Sequence, residues 1–160
     1  MPRPSADQKI LESGAFLNLV AVQKGVRKVM GLVTNFTYNE DFNVTEAQVI
    51  GLYGPVSIDS QNYRCSLNFG TYLPPKPREE VTEPYLDGGQ TTIFSLLKTR
   101  TEVSLDGKGS VIDQLDLLNL QSGVVVNSFA VVVISANGVQ VNPNTYVTSN
   151  LQALAVERIL

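Results

Sequence analysis

Histidine and tryptophan are absent from this chain of 160 residues, and cysteine occurs once. Without histidine the chain cannot form a Ser/His/Asp triad, a Cys/His pair, a histidine general base or most zinc sites. The single Cys65 lies in an alternating segment, where we interpret it as a small buried residue and not as a reactive thiol. These absences predict a protein that is not an enzyme and that holds no catalytic residue, no cofactor and no metal.

Charged residues are also scarce, at 17% of the chain, and the formal net charge is −3. The one local concentration of basic residues is the short cluster of Lys24, Arg27 and Lys28. Tight binding to nucleic acid needs basic patches that neutralise phosphates, so this function is disfavoured. A folded chain with so few surface charges often buries surface against partners.

Long apolar runs are missing. The first residues contain no apolar stretch of the signal-peptide type, and no run of about 18 apolar residues occurs in the sequence. We therefore expect neither a secretion signal nor a membrane anchor.

Three short motifs superficially suggest binding sites, and we interpret them as turn or connector residues. Residues 106–110, Asp-Gly-Lys-Gly-Ser, lack the spacing of a phosphate-binding loop because a glycine separates the lysine from the serine. The carboxylate pairs Glu40-Asp41 and Glu79-Glu80 have no further acids at calcium-loop spacing. Both pairs are interpreted as solvated charge.

Alternating hydrophobicity organises most of the chain into strands. Residues 1–14, with prolines at positions 2 and 4, are predicted to form a flexible arm, and residues 15–160 a single domain. Strand patterns cover residues 16–22, 111–120, 124–135, 138–141 and 151–160, with a helix as the alternative for the last. Asn137-Gly138 is a typical hairpin turn because both residues tolerate positive φ.

Residues 29–52 are predicted to form a long β-hairpin. Apolar residues recur at strand spacing on both sides of the polar segment Asn39-Glu40-Asp41, which is the predicted tip. The residues of core parity are Met30, Leu32, Phe36, Tyr38 and Phe42. Because they exceed what a small domain needs at a hairpin tip, we expect the hairpin to be an assembly element that reaches a neighbouring subunit.

The second half of the pattern begins with a clear strand at residues 63–72, apolar on one face and polar on the other. A proline-rich connector follows from residue 74 to about residue 90, and residues 91–98 are the best helix candidate because Ile93, Leu96 and Leu97 have helical spacing. The predicted fold is mainly β, an antiparallel sandwich or barrel of about eight strands with one short α-helix.

The residues after the first predicted strand form a recognisable series. Residues 24–38 read Lys-Gly-Val-Arg-Lys-Val-Met-Gly-Leu-Val-Thr-Asn-Phe-Thr-Tyr, and Glu46, Gly51, Gly54-Pro55 and the run Tyr-Arg-Cys-Ser-Leu at 63–67 follow. This order resembles the tail tube proteins of contractile phages, a fold shared with type VI secretion tubes. The resemblance covers about a third of the chain, and the rest agrees only in the order of its elements.

The resemblance implies a structural virion protein. In that family, hexameric rings of one β subunit stack into a tube that forms the inner channel of the tail, and DNA passes through without specific binding. The implied partners are further copies of the chain, the tail sheath and the baseplate. The implied location is the virion tail, assembled in the host cytoplasm.

Two groups of candidate residues follow. The assembly hairpin comprises Met30, Leu32, Phe36, Tyr38, Glu40, Asp41 and Phe42, and the channel-lining candidates are Glu46, Gln48, Arg64, Ser66 and Asn68. A neutral or acidic lining repels the duplex and keeps sliding friction low. Arg64 is therefore expected to be paired with an acid such as Glu46, or to lie at a subunit interface.

Three alternatives remain open at the level of sequence. The chain can be another ring-forming tail component, such as a terminator or baseplate ring, or the tube of a contractile bacteriocin or secretion-like injection system. A ligand-binding β-barrel is the third, and it would need an apolar cavity with convergent polar groups.

Overall fold

The computed structural model describes Gly14 and residues 17–55, 57–75, 78 and 92–160. The predicted arm apart from Gly14, most of the proline-rich connector and the pair Glu79-Glu80 lie outside the described residues. Within them the strands are β1 (Leu17–Gln23), β2 (Val26–Val29), β3 (Val33–Asp41), β4 (Val44–Ala47), β5 (Ser57–Ser60), β6 (Arg64–Tyr72), β7 (Val111–Asn119), β8 (Val125–Gln140) and β9 (Thr148–Arg158). A 3-10 helix (Ile93–Leu96) and an α-helix, α1 (Arg100–Asp106), precede β7.

Seven strands form one antiparallel sheet in the order β2-β1-β7-β8-β9-β6-β3, and β4 and β5 form a separate two-stranded sheet. The arrangement is sandwich-like and is not a closed barrel. The prediction of a mainly β, antiparallel sandwich with one short α-helix is thus confirmed.

The large sheet curls so that its edge strand β3 reaches back over β8. The Phe36 and Tyr38 rings of β3 lie 5.9 and 5.1 Å from the Phe129 ring of β8, although β6 and β9 separate the two strands in the sheet. The core fills the inside of this curl. Its largest fully buried apolar side chains are Phe69, Phe129, Leu67, Ile93, Ile112, Leu115, Leu151 and Val132. Each such side chain contributes roughly 1.5–3 kcal/mol by its removal from water.

Strand β6 has the predicted two-faced pattern. Cys65, Leu67 and Phe69 are buried, while Arg64 and Asn68 are exposed. Cys65 is fully buried, as expected, and burial raises the pKa of its thiol, which disfavours the reactive thiolate. The strand therefore separates a core face from a surface face.

A buried polar cluster joins β7 to its neighbours. Asp116 accepts hydrogen bonds from the Ser128 hydroxyl at 2.5 Å and from the Gln114 amide at 2.8 Å, and Arg27 lies 3.4 Å from its other oxygen. Asp116 is only 3% exposed. A carboxylate so deeply buried is tolerated because both of its oxygens have partners.

The helical region differs from the prediction. Residues 93–96 form the 3-10 helix within the predicted span of 91–98, but the α-helix begins later, at Arg100. Thr99 and Glu102 form a reciprocal capping box, and Gly107 ends the helix with a φ of 70°.

The prediction of a hairpin turn at Asn137-Gly138 is wrong. Strand β8 continues through both residues, which pair with Leu151 and Asn150 of β9. The turn lies further on, where the Thr145 amide donates to the Asn142 carbonyl. The closing segment is the strand β9, which excludes the helical alternative.

The long hairpin is present, but its arms and tip are misplaced in the prediction. Asn39, Glu40 and Asp41 do not form a tip; they lie in β3 and pair with Ser66, Cys65 and Arg64 of β6. The ladder then continues as β4 with β5, from Val44 opposite Ser60 to Ala47 opposite Ser57. The hairpin therefore runs from β3 through to β6, and its tip is residues 48–55.

No helix among the described residues is long and apolar enough to span a membrane.

Candidate functional site

Strands β4 and β5 extend the β3–β6 ladder beyond the large sheet. We call residues 42–55 and 57–63 the ribbon, and residues 48–55 the ribbon tip. The chain reverses at the tip through a turn in which the Leu52 amide donates to the Val49 carbonyl at 3.2 Å. Gly51 has a φ of 92° in this turn, a conformation that glycine adopts without a Cβ penalty.

The ribbon exposes apolar side chains to an unusual degree. Ile50 and Tyr53 at the tip have relative exposures of 103% and 112%, so nothing in the described chain covers them. The other large apolar residues of the ribbon that are exposed are Phe42, Val44, Val49, Leu52, Ile58 and Tyr63. No charged residue occurs from Ala47 to Ile58. An exposed apolar patch of this kind marks an interaction surface.

The ribbon bends away from the sheet at Phe42 and Asn43. Asn43 has a φ of 44°, its carbonyl accepts from the Gln61 amide, and the Phe42 carbonyl accepts from the Ser60 hydroxyl at 2.6 Å. Phe42 packs against Tyr63, with 5.4 Å between ring centroids. These contacts give the bend a defined geometry.

A polar cluster ties the base of the ribbon to the end of β9. The Tyr63 hydroxyl donates to Glu40 at 2.8 Å, the Arg158 backbone amide donates to that hydroxyl at 3.2 Å, and the Arg158 guanidinium forms an ion pair with Glu40. Partial desolvation of its hydroxyl, assisted by the hydrogen bond to Glu40, raises the pKa of Tyr63 to about 12. Tyr63 therefore remains a neutral donor throughout the physiological range.

The structure divides the predicted assembly residues between the chain's own core and its surface. Met30 is buried in the core, and the Phe36 ring lies 5.3 Å from that of Phe69. Tyr38 contacts Phe129 as well, while Leu32 and Phe42 are exposed. The expectation that all the core-parity residues exceed the needs of the domain is wrong for Met30 and Phe36, because the curled sheet uses them.

The acids of that group have different neighbours. Glu40 belongs to the cluster at the ribbon base, and Asp41 ends β3 with its carboxylate accepting from the Asn43 amide at 2.8 Å. Their role in assembly stays a prediction.

A second surface is the outer face, the side of β3, β6, β9 and the end of β8 that points away from the core. Register pairs share a face, so Asn68 lies beside Thr37 on one side and Gln152 on the other. The outer face comprises Asn35, Thr37, Asn39, Asp41, Arg64, Ser66, Asn68, Gly70, Tyr72, Ala136, Gly138, Gln140, Thr148, Asn150, Gln152 and Leu154. Small and amide side chains make it polar.

The outer face carries one acid and one base. They are Asp41 and Arg64, which are directly opposite one another in the β3–β6 ladder. The contribution from β8 and β9 is uncharged because no charged residue occurs anywhere from Leu117 to Val156. The face is therefore close to neutral, and its single cation has a cross-strand acid beside it.

The channel-lining candidates separate into two places. Arg64, Ser66 and Asn68 lie together on the outer face, whereas Glu46 lies in β4 of the ribbon and Gln48 lies in the ribbon tip. The expected pairing of Arg64 with Glu46 is not formed, since Glu46 lies opposite Ile58. Asp41 is the acid that the register places next to Arg64.

Two features of the candidate surfaces were not predicted from the sequence. One is the ribbon tip, whose signal was the uncharged run from Ala47 to Ile58 with a glycine in the turn. The other is the uncharged stretch of residues 117–156, which is visible in the sequence once charges are plotted by position. Both features are long runs without a charged residue, and a search for short motifs does not detect such runs.

The described part of the chain contains no group of three or more His, Cys, Asp or Glu side chains able to hold a metal. Residues 106–109 end α1 and lead into β7, with Lys98 and Asp106 paired at 2.5 Å.

The chain matches no protein-family model and no curated protein sequence. Solved structures do match. A chain from the tail of an empty gene transfer agent particle, refined with C6 symmetry, has a TM-score of 0.59 at 8% identity, covering 92% of this chain and 96% of that one. A chain of a sheath–tube complex from an extracellular contractile injection system has a TM-score of 0.58 at 7% identity, covering 98% and 97%.

The SPP1 tail tube is a third similar structure, with a TM-score of 0.57 at 6% identity over 91% of this chain and 76% of that chain. Identities this low show the fold alone. The chain has the tail tube fold, found in phage-like tails and in contractile injection systems. The resemblance at residues 24–74 is confirmed at the level of fold.

Proposed function

We propose that this chain is the tail tube subunit of a contractile tail, in which hexameric rings stack into the inner channel and DNA passes through. The observation that carries the proposal is the presence of two surfaces on a tail tube fold: a polar, nearly neutral outer face and a ribbon with exposed apolar side chains. The first suits a channel lining, and the second suits contact with another copy.

The outer face is the proposed lining of the channel. Duplex DNA carries about one negative charge per 1.7 Å of its axis, so a basic lining would bind phosphates and slow ejection. Each copy contributes Asp41 and Arg64 as neighbours, and uncharged side chains elsewhere on the face. Such a lining gives the duplex neither a binding site nor a strong barrier.

The ribbon is the proposed contact between rings. Side chains such as Ile50, Leu52 and Tyr53 contribute no free energy of burial in the isolated chain, because they are exposed there. Burial in an interface would contribute roughly 1.5–3 kcal/mol for each large apolar side chain. Repetition of this contact by every subunit makes a tube stable although each contact is small.

The remaining roles follow from the same assembly. The tail sheath and baseplate are the proposed partners, the mature location is the virion tail, and the subunits assemble in the host cytoplasm. The protein acts by its shape and surface, without catalysis.

Negative-stain electron microscopy of the purified chain tests the proposal. Long tubes with a central channel are the expected result. Isolated rings would favour a terminator or baseplate ring instead. A chain that stays monomeric at high concentration would contradict the proposed function.

The tube of a contractile injection system is the second candidate. The specific observation in its favour is the sheath–tube match, whose TM-score of 0.58 is close to the 0.59 of the gene transfer agent tail. Particles purified from the producing cells separate the two candidates. DNA protected from nuclease within the particles supports a DNA-conducting tail, and particles that carry protein cargo but no DNA support the injection system.

A further inference from the structure

Few of the described contacts join the ribbon to the rest of the subunit. Most hydrogen bonds of the described ribbon residues stay within the ribbon or reach Asp41 at the end of β3. The Tyr63 hydroxyl is the exception, because it donates to Glu40 of β3 and accepts from the backbone amide of Arg158 in β9. This one side chain therefore links the ribbon to a strand that does not continue into it.

The cluster around Tyr63 spans three neighbouring strands. Glu40 lies opposite Cys65, and Cys65 lies opposite Ala155, so β6 separates Glu40 from β9. Tyr63 immediately precedes β6 and lies between the other two members of the cluster. The ion pair between Glu40 and Arg158 bridges the same gap. The bases of both ribbon arms are thus attached to one residue of β9.

The direction of the ribbon at its base decides where its tip lies. The arm from Phe42 to Ala47 is roughly 17 Å long at about 3.3 Å per residue, and the tip lies beyond it. A rotation of about 10° at the base would therefore move the tip by roughly 3 Å or more. Apolar side chains are in contact only when their atoms approach within about 4.0–4.5 Å. Such a rotation would break most of the contacts that the tip could make.

The same cluster is poorly placed to stabilise the subunit itself. The side chains of Glu40 and Arg158 are 14% and 37% exposed, and Tyr63 is 37% exposed. Ion pairs that remain accessible to water contribute little to stability. A cluster that adds little stability, yet holds the base of an exposed ribbon, is explained by the position that it gives the ribbon.

We propose that Glu40, Tyr63 and Arg158 form a clamp that holds the ribbon of the free subunit in the direction needed for assembly. The inference rests on the proposed function, in which the ribbon contacts another copy, and adds the residues that position the ribbon. A segment already held in its bound conformation loses less conformational entropy on binding. The clamp thus lowers the concentration at which subunits assemble. Its three members are positioning residues, since they act through the ribbon.

The distance between two spin labels in the unassembled chain measures the direction of the ribbon. The labels are attached at Ile58→Cys in β5 and at Leu105→Cys in α1, both of which are exposed positions; the native Cys65 does not compete because it is fully buried. Pulsed electron paramagnetic resonance is expected to give one narrow distance distribution. Adding Glu40→Ala is expected to broaden it, because this substitution removes both the acceptor and the ion-pair partner within the clamp.

Two further variants separate the clamp from a general loss of structure. Glu40→Gln keeps an acceptor for the Tyr63 hydroxyl and loses the ion pair, so we expect an intermediate width. Tyr72→Phe removes a tyrosine hydroxyl at the opposite end of β6 and is expected to leave the distribution unchanged. Urea unfolding checks that each variant is folded. A distribution from folded Glu40→Ala as narrow as that of the unsubstituted labelled chain would overturn the inference, as would equal broadening by Tyr72→Phe.

Assembly of the unlabelled chain gives a second readout, which a purely structural role would not change. Glu40→Ala is expected to raise the critical concentration for tube formation about tenfold, which corresponds to about 1.4 kcal/mol per added subunit. Sedimentation of tubes from subunits measures this concentration. Tubes from Glu40→Ala at the wild-type critical concentration would overturn the clamp while leaving the tube function intact. A wild-type chain that forms no tubes at any concentration contradicts the proposed function, and the inference with it.

Discussion

The large sheet and the ribbon both contain parts of one long hairpin, yet their apolar residues differ in burial. In β6, Leu67 and Phe69 point into the core and are fully buried. A few residues further along the hairpin, Val44 and Ile58 are exposed on both arms of the ribbon. The difference is the surface opposite: β8 and the curled sheet cover β6, and nothing in the described chain covers the ribbon.

This comparison indicates that the ribbon is built for a partner outside the chain. Exposed apolar strands promote aggregation unless they are blunted or covered. The ribbon is not blunted, because its tip carries Ile50 and Tyr53 and no charge. We therefore propose that its apolar residues stabilise an assembly, whereas those of the sheet stabilise the subunit.

The largest expected difference in the free energy of unfolding is between alanine substitutions of two isoleucines. Ile112 in β7 has 0% exposure and Ile50 has 103%. We expect Ile112→Ala to lower the free energy of unfolding of the unassembled chain by roughly 3 kcal/mol through the lost burial and the cavity left behind. Ile50→Ala is expected to change it by less than about 0.5 kcal/mol. Urea unfolding of both variants measures the difference, and equal losses would break the comparison.

The next largest expected difference in stability is between alanine substitutions of two aspartates. Asp116→Ala removes the acceptor of Ser128 and Gln114 in a buried cluster, and we expect a cost of about 1–3 kcal/mol. Asp59→Ala in the ribbon loses one bond from the Ser57 hydroxyl in an exposed position, so its effect is expected to stay within about 0.5 kcal/mol. Thermal unfolding of the unassembled variants checks the order, and a larger loss from Asp59→Ala would contradict it.

The smallest expected effect lies at the junction of the two regions. The pKa of Tyr63 is raised from 10.0 to about 12, so between these values the folded chain binds a proton that the unfolded chain has lost. Stability from this group is therefore complete below pH 10 and falls as the pH rises toward 12. Tyr63→Phe is expected to flatten this alkaline decline in stability. An unchanged pH dependence in the variant would show that Tyr63 does not supply it.

Much of the fold was predictable because it depends on local alternation. Strands β1, β6, β7 and β9 follow from residue parity, and burial of Cys65 and Leu67 follows from their position in β6. The resemblance at residues 24–74 gave the tail tube fold before any geometry was considered.

The misplaced features share a physical cause, since they depend on contacts distant in sequence. Whether Asn39-Glu40-Asp41 forms a tip or a strand is decided by β6, and whether Asn137-Gly138 turns is decided by pairing with β9. Phe36 looked surplus because its partner Phe129 lies far along the chain. Local pattern cannot supply the curl of a sheet, and the curl determines which apolar residues are left exposed.

The central claim is that the ribbon tip joins copies of this chain into a tube. The length distribution of assemblies in negative-stain micrographs of the wild type and of the double variant Ile50→Asp and Tyr53→Asp tests it most directly. Two carboxylates at the tip cannot enter an apolar contact without a large desolvation cost, and the fold should survive because both positions are fully exposed. The account predicts long tubes for the wild type and only rings or monomers for the variant; tubes of equal length from both would contradict it.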